Sequence, residues 1–553
     1  MTSATPSPKS PEVSEKSKKY DRQLRLWGDH GQYKLESSHV CLINANATGT
    51  EILKSLVLPG CGRFTIIDSK EVTEEDVGNN FFLELSHVGQ NRGECAKTLL
   101  CEMNLDVSGE AVIDDLEEHL SVHKNSKFFD RFSVVIASEL SDKTLKLLSR
   151  TLWEKPGKSI PLIYCHCIGF IGWIRVQLKE HTVIESHPDS VIDDLRLDRP
   201  FPEMVEYFDS ISLSSREDIV KTPWLIVFHR ILEQYVKSHL LREDSMNCVN
   251  KENPHHLNTQ QKRAFKEYLE KELRTMGLHE GDDVFAESMK AVNTALTPTT
   301  IPWQVQEILN DKKVTDPENS QFWIMCAALK AFISENNGLL PVRGVLPDMT
   351  AESAKYIGLQ NVYRDKAKRD AEDVYNRCQS IMEESGNSPI TLKPEDVRLF
   401  CKESCNLKLI RGQPIFEELE TCPSSIVNEI AQNQESPNPD CMFYVMMRAA
   451  LRYYSEFNFY PGASDPEQDI TEFKACVSRL LAEWNCNVNG NADYIQEICR
   501  YGGSEIPSVA AFVGGCVAQE AIKIITGQYT PLNNTLIYNA VDCSTTSFNL
   551  PTD

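Results

Sequence analysis

SHVCLIN (Ser38 to Asn44), ANATGT (Ala45 to Thr50) and EILKSLVL (Glu51 to Leu58) decide the fold of this chain. The first is a short apolar run bounded by polar residues, which predicts a buried parallel strand. The third predicts a helix stopped by Pro59-Gly60. The pattern continues downstream. RFTIID (Arg63 to Asp68) is a second strand, a helix holding Cys95, Leu99, Leu100 and Met103 follows, and AVID and FSVVIAS (Phe132 to Ser138) are two more strands. IPLIYCHC (Ile160 to Cys167) is another, followed by GFIGWIRVQL (Gly169 to Leu178). Alternating strands and helices predict an α/β fold with a doubly wound, Rossmann-like parallel sheet.

The loop between first strand and first helix is where such a sheet cradles phosphates. Glycines let the backbone approach, and the helix N-terminus attracts the anion. Here the turn reads Asn44-Ala45-Asn46-Ala47-Thr48-Gly49, with one glycine of a G-x-G-x-x-G. Side chains at Asn44 and Asn46 crowd a phosphate, and Gly49 is explained by close packing of helix on strand. The loop predicts a crippled or nucleotide-free cradle. Asp68 ends the second strand, where an acidic residue can bind a ribose hydroxyl; a cap on the next turn is the other reading.

Outward from this core, the 553 residues suggest about three or four structural units. Net charge −23 disfavours nucleic acid or an anionic membrane as the main partner. No uninterrupted apolar run reaches about 18 residues, so no membrane-spanning helix is expected. The 18 cysteines are scattered without a C-x-x-C pair; Cys165/Cys167 and Cys401/Cys405 are the closest, and neither has zinc spacing. Free thiols point to a reducing compartment, cytoplasmic and nuclear. Residues 1–19 are Ser, Pro and Lys rich and are expected to form a disordered tail. Residues 20–187 form the first part of the α/β domain, 188–485 a mainly helical insert, and 486–553 the returning part. In the insert, helices are expected from about Ala354 to Met382 and from Gln260 to Met276. In the last part, SVAAFVGGCVAQEAIKIITG is a buried helix ending at Gly527, and TLIYN (Thr535 to Asn539) a final strand.

The run YDRQLRLWG (Tyr20 to Gly28), then EILKSLVLPGCGRFTIID, VGQNRGECAK, GFIGWIRV, IESHPD, DLRLDRPFPE, IPSVAAFVGGCVAQEAIKIITGQYTPLNN and TLIYN occur in this order. Together they resemble the activating enzymes of ubiquitin and ubiquitin-like modifiers, over roughly the first 200 residues and the last 50. The resemblance implies an adenylation-type domain. The departures are equally specific. Catalytic members read I-D-x-D-x-V-x-x-S-N-L-x-R-Q, and this chain reads IIDSKEVTEEDVGNN. Lys70 stands where the second Asp belongs, and Asn79 and Asn80 replace the Arg-Gln pair that contacts the triphosphate. Arg92 replaces the catalytic Lys, and Glu139 falls near the magnesium Asp. No P-x-C-T acceptor motif occurs; Cys422 in ETCPSS is a look-alike in the wrong order, read as a structural thiol.

The resemblance therefore implies the non-catalytic branch of the neddylation pathway: a regulatory subunit that binds no cofactor itself and is not active alone. Its partners would be a catalytic subunit holding ATP, magnesium and the thioester cysteine, the ubiquitin-like modifier, and a conjugating enzyme reached through the complex. By the same resemblance Arg22 crosses to the partner's ATP phosphates, a task suited to its planar, permanently charged fork. The alternative is that Arg22 and Arg25 pair locally with Asp21 and nearby Glu residues. In the insert, Leu340, Pro341, Val342, Arg343, Gly344, Pro347, Asp348 and Met349 lie in LLPVRGVLPDMTAES, expected to be a modifier-docking loop or an ordinary connector. A self-sufficient adenylating enzyme, a nicotinamide-dependent oxidoreductase and an unrelated adaptor are the competing classes.

Overall fold

The computed structural model describes residues 18–123, 127–155, 159–190, 192–240, 255, 257–317, 320–384, 391–421, 423–432, 438–486 and 492–550. Cys422 and residues 1–17 of the expected tail lie outside them. Lys19, assigned to that tail, is held by hydrogen bonds to Asn104 and Asp106 at 2.6 and 2.8 Å.

The chain forms two compact units, Met1–Val183 with Leu409–Asp553, and Ile184–Lys408. The first unit begins with α1 (Asp21–Glu36), β1 (His39–Ile43), α2 (Ala47–Val57), β2 (Arg63–Ile67), α3 (Glu74–Asn79), α4 (Arg92–Met103) and β3 (Ser108–Val112). It continues with β4 (Val134–Ser138), α5 (Asp142–Trp153), β5 (Leu162–Ile168) and β6 (Ile171–Gln177). The second unit contains Trp224–Tyr235, Thr259–Thr275, α6 (Gln321–Glu335) and the 32-residue α7 (Ser353–Glu384). On α7, Leu359, Tyr363, Ala371, Val374 and Cys378 are buried, the single inward face that their spacing predicts. The chain then returns with α8 (Pro439–Phe457), α9 (Pro466–Glu483), α10 (Pro507–Thr526), β7 (Thr535–Asn539) and β8 (Ser544–Phe548).

The eight strands run in the order β8-β7-β6-β5-β4-β1-β2-β3. β3-β2-β1-β4-β5 are parallel, in doubly wound order with the switch point between β1 and β4. The other three strands pair antiparallel, a departure from the all-parallel expectation. The connection from Ile168 to Ile171 is too short for a crossover, and Gly169, at φ +55°, turns it into a hairpin. β8 was not expected; STTSF carries no apolar alternation to mark it.

The C-terminal edge of the insert also differs from the sequence reading. Ile415–Glu420, Ser424–Gln432, α8 and α9 are helices, yet they belong to the α/β unit. Met442, Tyr444, Met446 and Leu451 of α8 and Phe473 and Leu480 of α9 share one core with Val135, Leu162, Tyr164 and Trp173 of the sheet. Helical character alone does not distinguish an insert from one covering layer of a sheet; the buried partners do. On the other face α2 and α10 pack together, with Ile52, Leu53, Val513 and Val517 buried. α10 is long and apolar enough to cross a membrane by length and composition, although its apolar run is interrupted; Val509, Val513, Val517 and Ala521 are buried in this core.

Candidate functional site

The carboxyl ends of β1 and β4 diverge at the switch point, where open α/β sheets bind ligands. In this chain that crevice is bridged. The Asn44 amide donates to the carbonyls of Ser138 and Glu139 at 2.7 and 3.1 Å, and the Ser138 hydroxyl bonds Asn46 Oδ1 at 2.7 Å. Asn44 takes the left-handed backbone, φ +68°, that a glycine would otherwise supply. Asn46 caps α2 by accepting from the Gly49 N–H at 3.0 Å. A Cβ at Gly49 would lie 2.3 Å from the Asn44 carbonyl, so its glycine serves the packing of the loop.

The free N–H groups at the start of α2 already have an anion. Glu505, just before α10, accepts from the Ala47 N–H at 2.9 Å, the Thr48 N–H at 3.4 Å, the Thr48 hydroxyl at 2.6 Å and the Asn46 amide at 3.0 Å. The residue keeps some exposed surface. Close packing around the carboxylate nonetheless pushes its pKa up to about 7, opposed by the Thr48 hydroxyl and assisted by the charge of Glu139.

The remaining departures from the catalytic pattern are tied into the same framework. Asp68 is buried and accepts from the Ala45 N–H, the Lys70 N–H and Arg92 Nε at 2.8, 3.0 and 2.8 Å. It holds the loop and, through the Lys70 N–H, caps the following turn. Arg92, 3% exposed, also reaches Asp76 at 3.1 Å. Lys70 pairs with Glu139 at 3.2 Å, so the two substituted positions neutralise each other. Asn80 is buried and bonds Thr50, the Phe82 N–H and the Ala45 carbonyl. Asn79 ends α3, with a buried side-chain oxygen that lacks a partner among the described residues.

Arg22 lies elsewhere. It is exposed in the first turn of α1 and makes no hydrogen bond or ion pair among the described residues. The local pairing considered for both arginines is made by Arg25 alone, with Asp21 at 3.0 Å.

In the second unit, the 340–349 loop is pinned by its backbone. Arg196 donates to the carbonyls of Leu340 and Pro341, Asp370 accepts from the Val342 N–H, and Asp194 accepts from the Arg343 N–H. The Arg343 guanidinium faces Glu403 at 3.3 Å. Leu340, Pro341, Val342 and Met349 are buried, Arg343, Gly344 and Pro347 half-buried, and Asp348 exposed beside Val345 and Thr350. A cavity of about 260 Å³ opens against Leu340, Pro341, Arg343, Arg196 and Cys405.

Sequence reasoning missed Glu505, Ser138 and Asp370. Glu505 precedes Ile-Pro at a helix start and carries no motif; its partners lie up to 459 residues away.

The family model described as "ThiF family" matches residues 20–553. The chain is 44% identical to a Danio rerio protein named "NEDD8-activating enzyme E1 regulatory subunit", over 97% of this chain and 99% of that one. It is 43% identical to the Xenopus laevis protein of that name, over 97% and 99%. It is 41% identical to the Drosophila melanogaster one, over 99% and 100%.

Proposed function

The chain belongs to the ThiF family, among the NEDD8-activating enzyme E1 regulatory subunits, and from that premise we propose how a chain with a filled cradle takes part in adenylation. It is the regulatory subunit of a heterodimeric activating enzyme for a ubiquitin-like modifier. ATP and magnesium are held by the catalytic partner, which also carries the thioester cysteine and recruits the conjugating enzyme. This chain completes the adenylation site and one wall of the modifier groove.

The observation that carries the reading is the Glu505 carboxylate on the helix N-terminus, where a competent subunit needs open donors. Adenylation requires charge stabilisation at the α-phosphate and a positioned carboxylate. With its own loop committed, the chain contributes from its surface. Arg22 is exposed and, among the described residues, unpaired, and a donated guanidinium suits phosphate oxygens. Phe81, Leu85 and Val88, between α3 and α4, are 83%, 74% and 41% exposed, apolar surface of the kind a partner subunit covers. The outward side chains of the 340–349 loop and its neighbours, Val345, Asp348 and Thr350, are the modifier-facing ones; the buried ones set the loop's shape. The complex works in cytoplasm and nucleus, which fractionation checks.

Pyrophosphate exchange tests the reading. The chain alone with ATP, magnesium and modifier gives none, and addition of the catalytic partner restores it. Exchange by the chain alone would overturn the assignment.

A further inference from the structure

We propose that the cavity at the start of the 340–349 loop binds a small zwitterion with an apolar side chain, the chemical class of a free apolar α-amino acid. The cavity lies wholly within the second unit and holds about 260 Å³. That is just below the roughly 300–1,000 Å³ of drug-sized ligand pockets, so its occupant is small. Pro298, Ile301, Leu339, Leu340 and Pro341 supply apolar wall, and Ile192 stands in the lining 68% exposed, apolar surface with nothing over it among the described residues. Pro298, Pro302 and Pro341 have φ fixed by their rings, and the loop backbone is tied to Arg196, Asp194 and Asp370. The walls are therefore set before a ligand arrives, which lowers the cost of binding.

The charges select the class. Asp193, Asp194, Arg196, Arg343 and Lys402 line the cavity. Asp194 and Arg196 are committed to each other at 2.6 and 3.1 Å, and Arg196 also to the carbonyls of Leu340 and Pro341. Arg343 and Lys402 share one carboxylate, that of Glu403, at 3.3 and 3.8 Å, which leaves one positive charge in excess. The Asp193 carboxylate has no hydrogen bond or ion pair among the described residues, which leaves one negative charge. Burial raises its pKa, and Arg343 is near enough to oppose that shift.

Two uncompensated charges of opposite sign, close together beside an apolar wall, match an ammonium and a carboxylate carried on one carbon next to an apolar side chain. Donors for the carboxylate are at hand. Arg343 has a buried Nε without a partner among the described residues. Ser404, 2% exposed, lines the cavity, and its hydroxyl makes no hydrogen bond among the described residues. Asp193 is the acceptor for the ammonium.

Isothermal titration calorimetry of the full chain tests this. The probes are L-leucine, N-acetyl-L-leucine, L-leucinamide and N-acetyl-L-leucinamide. The readout needs no ATP, modifier or partner subunit, so its failure is distinct from failure of the adenylation reading. L-Leucine should bind saturably at one site, and loss of either charge from the probe should weaken binding roughly 10-fold or more. Asp193→Asn should abolish the preference for L-leucine over its N-acetyl form and keep the preference over the amide. Arg343→Met should do the reverse. Asp193→Asn breaks no hydrogen bond of the described residues, so if Arg343→Met does not fold, the Asp193→Asn arm decides alone. Absence of saturable L-leucine binding overturns the proposal, as does a preference over the N-acetyl form that Asp193→Asn leaves unchanged. Binding of N-acetyl-L-leucinamide as tight as that of L-leucine also overturns it, and would assign the cavity to a segment of peptide chain.

Discussion

Two regions of the first unit bear on phosphate chemistry, and they are built oppositely. At the β1–α2 loop the groups that could meet a nucleotide are paired within the chain: Asn44 with Ser138, Asp68 with Arg92, Lys70 with Glu139, and the helix N-terminus with Glu505. In the first turn of α1, Arg22 is exposed and unpaired among the described residues. The contrast teaches that the loop of a nucleotide-type fold can be tied up by partners within the chain without loss of its frame. Substituted side chains replace the ligand's charges with internal ones, because buried polar groups left unmatched are costly. What the chain still offers another molecule then has to come from its surface.

The largest effect expected from breaking this contrast is at the inward site. Arg92→Met leaves Asp68 buried without its countercharge and should cost about 3–5 kcal/mol of stability. Urea denaturation of the full chain measures it, and a variant as stable as the parent would show that the internal pair is dispensable.

The outward site should respond in rate and not in assembly. Arg22→Ala should slow adenylation by the heterodimer roughly 10- to 100-fold, about 1.4–2.7 kcal/mol, while size-exclusion chromatography shows the complex intact. Arg22→Lys should recover only part, since an ammonium keeps the charge but loses the fork. Normal exchange by the Arg22→Ala complex would remove the donated-arginine role, and a dissociated complex would make Arg22 an interface residue.

A smaller effect follows from the pKa of Glu505, raised to about 7 by burial against an ordinary value of 4.5. A raised carboxyl pKa gives stability that is complete below the unfolded value and is lost as pH rises through the folded one. The parent should therefore lose stability relative to Glu505→Gln between about pH 4.5 and 7, by about 1–2 kcal/mol after allowance for the residue's partial exposure. Melting curves of both proteins at pH 5 and pH 8 check this; a difference that does not change with pH would mean the carboxyl titrates normally. The smallest effect is the control. Arg25→Ala breaks only the exposed pair with Asp21 and should change stability by less than about 0.5 kcal/mol, with exchange near normal.

The legible part of the fold was the part written in local pattern. The β1–α2–β2 run, the buried face of α7 and the Gly527 stop of α10 were all read from periodicity and turn residues, and the structure has them. Sequence pattern misplaced the end of the insert, because α8 and α9 look like any amphipathic helices until their partners on the sheet are known. The site divided in the same way. The loss of glycines was visible, and so was the crowding by Asn44 and Asn46. The identity of the anion was not, since Glu505 meets the loop only after most of the chain has intervened. Arg92 was read as a substituted catalytic lysine, and only the geometry shows it as the countercharge of Asp68.

The central claim is that nucleotide belongs to the partner because this chain's own cradle is filled from within. Equilibrium dialysis of labelled ATP with magnesium tests it most directly, against the isolated chain, the isolated catalytic subunit and the heterodimer. The account predicts no saturable binding to this chain alone and one ATP per heterodimer. Stoichiometric binding by the isolated chain, or two ATP per heterodimer, would contradict it.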